Sequence, residues 1–129
     1  MVSSIPPRTV KILVVEDDAD ILALESRILA TLGAVQIARD GVEALSIIER
    51  GFVPDVVVTD IMMPRMDGLA LAKQLKTDPK TSKVPVVILT AKSRPQDVIA
   101  GINSGARHYM TKPFTADQLL AKVKKALGR

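Results

Sequence analysis

Polar side chains that could do chemistry stand directly after the aliphatic runs of this sequence. They are a run of three acids, a single aspartate, a threonine and a lysine: Glu16, Asp17, Asp18, Asp60, Thr90 and Lys112. If the aliphatic runs are parallel strands of one sheet, their carboxyl ends meet at one edge. Carboxylates, a hydroxyl and an ammonium group would then converge there.

Carboxylates brought together raise one another's pKa unless a cation lies among them. A hard divalent ion such as Mg²⁺, or Mn²⁺ in its place, suits oxygen ligands of this kind. Asp60 could then act as a nucleophile toward a phosphoryl group, because carboxylates form aspartyl phosphates. The Lys112 ammonium and the Thr90 hydroxyl could neutralise charge on the phosphoryl oxygens.

The elements that must position these groups are five strands. Three runs are strongly β-branched, and two weaker runs complete the set. The predicted strands are 10–15, 34–38, 56–59, 84–89 and 107–110. The fourth run is interrupted early by Pro85.

Helical patterns lie between and after these runs, each with a capping residue or first-turn proline at its start. The first helix follows Asp17 and Asp18 through the apolar spacing Ile21, Leu24, Ile28 and Leu32 and closes at Gly33; the others begin at Asp40, Asp67, Pro95 and Thr115. The helix that begins at Pro95 should end near Gly105. Strand and helix therefore alternate five times, which predicts an α/β fold with a doubly wound five-stranded parallel sheet and five helices.

Composition narrows the function classes. The chain has 129 residues, no cysteine and 2% aromatic residues, so one domain with an aliphatic core is expected, without thiol chemistry or cysteine-bound zinc. The net charge of +4 is concentrated in residues 105–129, where six basic groups face one acid, and the rest of the chain sums to −1. We expect no direct nucleic-acid binding, no membrane span and a cytoplasmic protein.

The motifs that carry these groups resemble the receiver domain of two-component response regulators, with its flavodoxin-like fold. The matching segments, in family order and with family spacing, are Val14–Asp18, Ala38–Leu45, Asp60–Gly68, Leu89–Ala91 and Lys112–Phe114. The resemblance implies a receiver domain over residues 9–128. The residues before it, 1–8, are expected to form a flexible lead-in.

The resemblance also implies a role for each matching residue. Asp60 would accept a phosphoryl group from a sensor histidine kinase or a histidine phosphotransfer protein. Asp17 would bind Mg²⁺ directly, Glu16 would bind it through water, and the backbone carbonyl of Met62 would be a further ligand beside Asp60. Lys112 would bridge to the phosphoryl oxygens.

The remaining implied roles concern switching and lifetime. Thr90 would move toward the phosphoryl group and Tyr109 would turn inward behind it. This would switch a protein-binding surface on the fourth predicted helix, the fifth strand and the fifth predicted helix. Met62 and Lys92 match the two positions that flank the path of attacking water, and the apolar Met62 predicts slow self-dephosphorylation.

Other functions remain open at this point. A small phosphohydrolase of the haloacid-dehalogenase type also uses an Asp nucleophile and Mg²⁺, but it carries a second Asp two residues later, where this chain has Met62. A pseudo-receiver would act as an interaction module without phosphorylation. We expect a signalling phosphoacceptor and not an enzyme with an external substrate. The target, a phosphorylation-dependent dimer and a missing effector domain are left open.

Overall fold

The computed structural model describes residues 9–91, 106 and 108–129. Within them a single five-stranded sheet is flanked by four helices. The strands are β1 (Val10–Val15), β2 (Gly33–Ala38), β3 (Val56–Asp60), β4 (Val86–Thr90) and β5 (His108–Thr111). The helices are α1 (Ala19–Leu29), α2 (Gly41–Glu49), α3 (Gly68–Thr77) and α4 (Ala116–Ala126).

The sheet has the strand order β2-β1-β3-β4-β5, and every neighbouring pair is parallel. The order reverses between β1 and β3, because the chain runs outward from β1 to β2 and then returns to the other side of β1. In open α/β sheets this switch point is where ligands bind, at the carboxyl ends of the strands. Val15 pairs with Thr59 in the register, so Glu16 and Asp60 follow adjacent positions.

The predicted capping residues begin all four described helices. Asp18, Asp40 and Asp67 each accept hydrogen bonds from backbone N–H groups of the first turn. Thr115 forms a capping box with Gln118 at the start of α4. Each cap satisfies backbone donors that the helix itself cannot pair, which explains why the helices begin where the sequence predicted.

The core has two layers, one on each face of the sheet. Alternate residues of a strand point to opposite faces, so Leu13 and Val57 pack against α2 and α3, whereas Ile12 and Val58 pack against α1 and α4. All four side chains are fully buried. Helices on both faces confirm the doubly wound arrangement.

Strand β2 starts one residue earlier than predicted, and β3 and β5 each end one residue later. Two other differences are larger. Strand β4 begins at Val86 and not at Val84, in keeping with Pro85, which has no N–H for a sheet ladder. Helix α1 ends at Leu29 and does not continue to Gly33, which starts β2. Its buried face carries Leu22, Glu25 and Leu29, while Leu24 of the expected apolar stripe is 47% exposed.

Several predictions fall outside the described residues. They are the lead-in over residues 1–8, the helix predicted from Pro95 to about Gly105, and the position of Lys92. The other four predicted helices are all present as helices, and α4 is the fifth in the predicted series. Among the described helices, none combines the length and the apolar character that crossing a membrane requires.

Candidate functional site

Three strands bring charged side chains to one point at the carboxyl edge of the sheet. Glu16 follows β1, Asp60 ends β3, and Lys112 follows β5. The Nζ atom of Lys112 donates hydrogen bonds to Glu16 Oε1 at 2.7 Å and to Asp60 Oδ2 at 3.0 Å. Glu16 is only 1% exposed, so this ammonium is the nearest compensating charge for a buried carboxylate.

The acidic cluster consists of Glu16, Asp17 and Asp60, each of which offers a carboxylate oxygen within 4.8 Å of the others. Three carboxylates this close repel one another, and one ammonium group balances only part of their charge. Oxygen donors at such spacing suit a hard divalent cation. Asp18 is not part of the acidic cluster, because its carboxylate caps α1 through the N–H groups of Asp20 and Ile21.

The electrostatics of the site follow from this packing. Burial raises the pKa of Glu16, and the nearby Asp60 charge adds to the rise, although hydrogen bonds from Lys112 and from the Asp18 N–H oppose it. Burial alone would lower the pKa of Lys112, but its hydrogen bonds to Glu16 and Asp60 outweigh burial and raise it. Lys112 therefore stays an ammonium group at neutral pH.

The backbone around Asp60 holds its side chain in place. Its Oδ1 accepts a hydrogen bond from the Ile61 N–H at 2.8 Å, which leaves Oδ2 facing Lys112. Gly68, at the start of α3, donates its N–H to the Ile61 carbonyl at 2.9 Å. A Cβ at Gly68 would collide with the Asp60 carbonyl oxygen, so only glycine permits this close approach.

The loop between β3 and α3 is tied to the start of α2. Arg65 has a φ of 65°, and its guanidinium group contacts Asp40 Oδ2 at 2.8 Å, while Asp40 Oδ1 caps α2 at the Glu43 N–H. Burial alone would raise the pKa of Asp40, but the Glu43 N–H and the Arg65 guanidinium lower it overall. Sequence reasoning missed this contact, since nothing in the local pattern links two loops 25 residues apart.

The two residues expected to switch, Thr90 and Tyr109, lie on the neighbouring strands β4 and β5. Thr90 is buried at the end of β4. Its backbone carbonyl accepts a hydrogen bond from the backbone N–H of Lys112 at 2.7 Å. Tyr109 is half-buried on β5, opposite Ile88 in the register, and borders a groove of about 470 Å³ between β5 and α4. The Lys112–Pro113 peptide bond is cis.

Two further surface features lie next to residues of the site, one after Asp60 in the chain and one beside Lys112. The side chain of Met62 is exposed at 59% in the loop after Asp60. An apolar groove of about 380 Å³ lies beside Lys112 and is lined by Ile21 and Leu24 of α1 and by Phe114. Lys92, the other position expected to tune lifetime, lies outside the described residues.

The amino-acid sequence of this chain is similar to those of known proteins. Residues 12–124 match the family model for the response regulator receiver domain. The response regulator MprA of Mycobacterium sp. (strain KMS) is 41% identical over 121 residues, which make up 93% of this chain and 51% of that protein. The chain thus spans about half the length of the curated relatives that it matches.

Solved structures show the same architecture. The chemotaxis response regulator CheY4 of Vibrio cholerae superposes with a TM-score of 0.86 at 28% identity, covering 92% of this chain and 99% of that chain. The receiver domain of the Francisella response regulator 1452 has a TM-score of 0.81 at 37% identity, covering 92% of this chain and 97% of that chain.

Proposed function

The chain belongs to the response regulator receiver domain family, and we propose that within it Asp60 is the phosphoacceptor. The observation that carries this proposal is the contact of Lys112 with both Asp60 and Glu16 at the carboxyl end of the central strand. An Asp60 carboxylate oxygen would attack phosphorus, the P–N bond of a donor phosphohistidine would break, and the donor imidazole would leave. Lys112 is close enough to Asp60 for its ammonium group to contact the oxygens of a phosphoryl group bound there.

The acidic cluster fits a divalent cation, Mg²⁺ or Mn²⁺. Its three carboxylates are hard oxygen donors at one point, and Asp17 is the exposed member through which a cation and its waters could enter. The Met62 backbone carbonyl is the proposed further ligand. When bound, the cation supplies positive charge to the equatorial oxygens of the phosphoryl group.

The surface for the phosphodonor is proposed to be the apolar groove beside the site. A kinase or a phosphotransfer protein has to bring its histidine to Asp60, so it must cover the rim of the acidic cluster. Ile21, Leu24 and Phe114 form an apolar strip at that rim, next to Lys112. An exposed apolar patch at a functional edge favours protein contact.

The surface for the downstream target is proposed to be the groove between β5 and α4. Tyr109 borders it, together with Lys122 and Lys125 of α4. Thr90 lies one strand away, between the acidic cluster and Tyr109, so a move of its hydroxyl toward a phosphoryl group would open space for the ring. Such a shift would bias the surface between two states.

The test is incubation of the protein with Mg²⁺ and a small phosphodonor such as acetyl phosphate, followed by mass spectrometry. We expect a gain of one phosphoryl group, located at Asp60 after reductive trapping, and no gain in Asp60→Asn. Asp117→Asn is the matched control, because Asp117 is exposed on α4 away from the acidic cluster.

Two other outcomes would contradict the proposal. Steady release of phosphate over many turnovers would favour a phosphohydrolase, although the position two residues after Asp60 holds Met62, which has no acid or base group. No reaction with any donor would favour a pseudo-receiver. No observation on the described residues favours either alternative.

A further inference from the structure

Helix α1 buries a carboxyl group that the proposed reaction does not use. Glu25 is 1% exposed and lies on the inner face of α1 between Leu22 and Leu29. The surrounding layer of the core is aliphatic, with Val14 of β1 and Leu119 of α4 among its members. A charged residue at such a position is unusual, since acids are almost never fully buried unless paired.

One oxygen of the Glu25 carboxyl group lacks a hydrogen-bond partner within the described residues. Its Oε1 atom is buried and accepts no hydrogen bond from any of them. Glu25 is also not a member of the acidic cluster of Glu16, Asp17 and Asp60, whose oxygens lie within 4.8 Å of one another. An ionised carboxylate without a partner in an apolar layer costs far more than a neutral carboxyl group.

Glu25 nevertheless lies near the acidic cluster, because Ile21, one helical turn before it on α1, lines the same groove as Lys112. Burial is the main cause that raises its pKa to about 8, and the negative charges of Glu16 and Asp60 add to the rise. The Lys112 charge opposes the rise but does not cancel it. At neutral pH the Glu25 carboxyl group is therefore mostly protonated. Its pKa depends on the charges of Glu16, Asp60 and Lys112.

We propose that Glu25 is a further residue of the acidic site, which holds a proton while no divalent cation is bound and releases it to solvent when a divalent cation binds. The inference rests on the proposed metal site. The step is balanced, because one O–H bond of the Glu25 carboxyl group breaks, the proton passes to water, and no other reactant is needed.

The physical reason is electrostatic linkage. A divalent charge close to Glu16 and Asp60 stabilises the ionised form of Glu25, so cation binding lowers the pKa of Glu25. By reciprocity, ionisation of Glu25 must strengthen cation binding to the same extent. Affinity for the cation then rises with pH in the range where ordinary carboxylates are already ionised.

Calorimetric titration of Mg²⁺ alone into the protein, in buffers of different ionisation enthalpy, counts the protons released. At pH 7.5 we expect wild type to release more protons per bound Mg²⁺ than Glu25→Gln. Glu49→Gln, the same change at an exposed position of α2, should match wild type. Equal proton release from wild type and Glu25→Gln would overturn the inference.

The pH dependence of affinity gives a second readout. Between pH 6.5 and 8, the apparent dissociation constant of Mg²⁺ should fall with pH more steeply in wild type than in Glu25→Gln, by up to about tenfold per pH unit. Parallel curves would contradict the linkage. The comparison also removes any contribution from Glu16, which is present in both proteins.

A third measurement needs no variant. In wild type labelled at the Glu side-chain carboxyl carbons, the titration midpoint of Glu25 should move to lower pH when Mg²⁺ is added. An unchanged midpoint with Mg²⁺ bound would overturn the inference and leave the proposed function intact. Failure of Mg²⁺ to bind at all would overturn both.

Discussion

Replacing Glu25 by glutamine should change how the stability of the protein depends on pH. The pKa of Glu25 rises from an ordinary value of 4.5 to about 8, chiefly because the carboxyl group is buried. Between these two values the folded protein keeps the proton that the unfolded chain has already lost. The contribution of Glu25 to the free energy of unfolding must therefore fall as the pH rises through this range.

The magnitude follows from the shift. Each pKa unit corresponds to about 1.4 kcal/mol, so between pH 5 and pH 7 wild type should lose about 2.5 kcal/mol of stability relative to Glu25→Gln. Glutamine matches the size of a protonated carboxyl group and does not titrate. Any constant cost of its amide cancels when the two pH values are compared.

Urea denaturation at pH 5, 6 and 7, without added metal, measures this difference. With a denaturant dependence of about 1–3 kcal/mol per M, the gap between the two midpoints should change by about 1–2 M across the series. Glu49→Gln, exposed on α2, should keep a constant offset from wild type. If the offset between wild type and Glu25→Gln is also constant, the buried carboxyl group is not protonated and the reasoning fails.

Three further predictions concern the loop after β3 and its support. Met62→Asn should speed loss of the phosphoryl group from the phosphorylated protein, because an amide can hydrogen-bond the attacking water and a thioether cannot; an unchanged decay rate by mass spectrometry would contradict this. Arg65→Ala should lower the free energy of unfolding by about 1 kcal/mol through loss of the contact with Asp40, and Arg65→Gly should recover part of it because glycine adopts a φ of 65° without strain, both measured by urea denaturation. Gly68→Ala should cost about 1–3 kcal/mol and slow phosphorylation, because its Cβ would displace the Asp60 carbonyl; normal values for both would show that this close approach is not required.

Much of the fold could be predicted because its signals are local. The run Val10–Val15 is β-branched and bounded by polar residues, and it forms β1 with those bounds. Asp40 and Asp67 cap helices where they were expected to, since a cap depends on the residues of one turn. Errors arose where the preference was weak, as at the start of β4 and along the inner face of α1.

The sequence alone determined the alternation of strands and helices, and with it the residues that stand at the carboxyl end of each strand. That position alone identifies Glu16, Asp60 and Lys112 as candidate site residues, because a parallel sheet brings the carboxyl ends of its strands to one edge. Only the tertiary structure decided the distances among them, the Arg65–Asp40 contact and the burial of Glu25. These depend on how distant segments pack, and a helix turned by one residue exchanges an exposed position for a buried one.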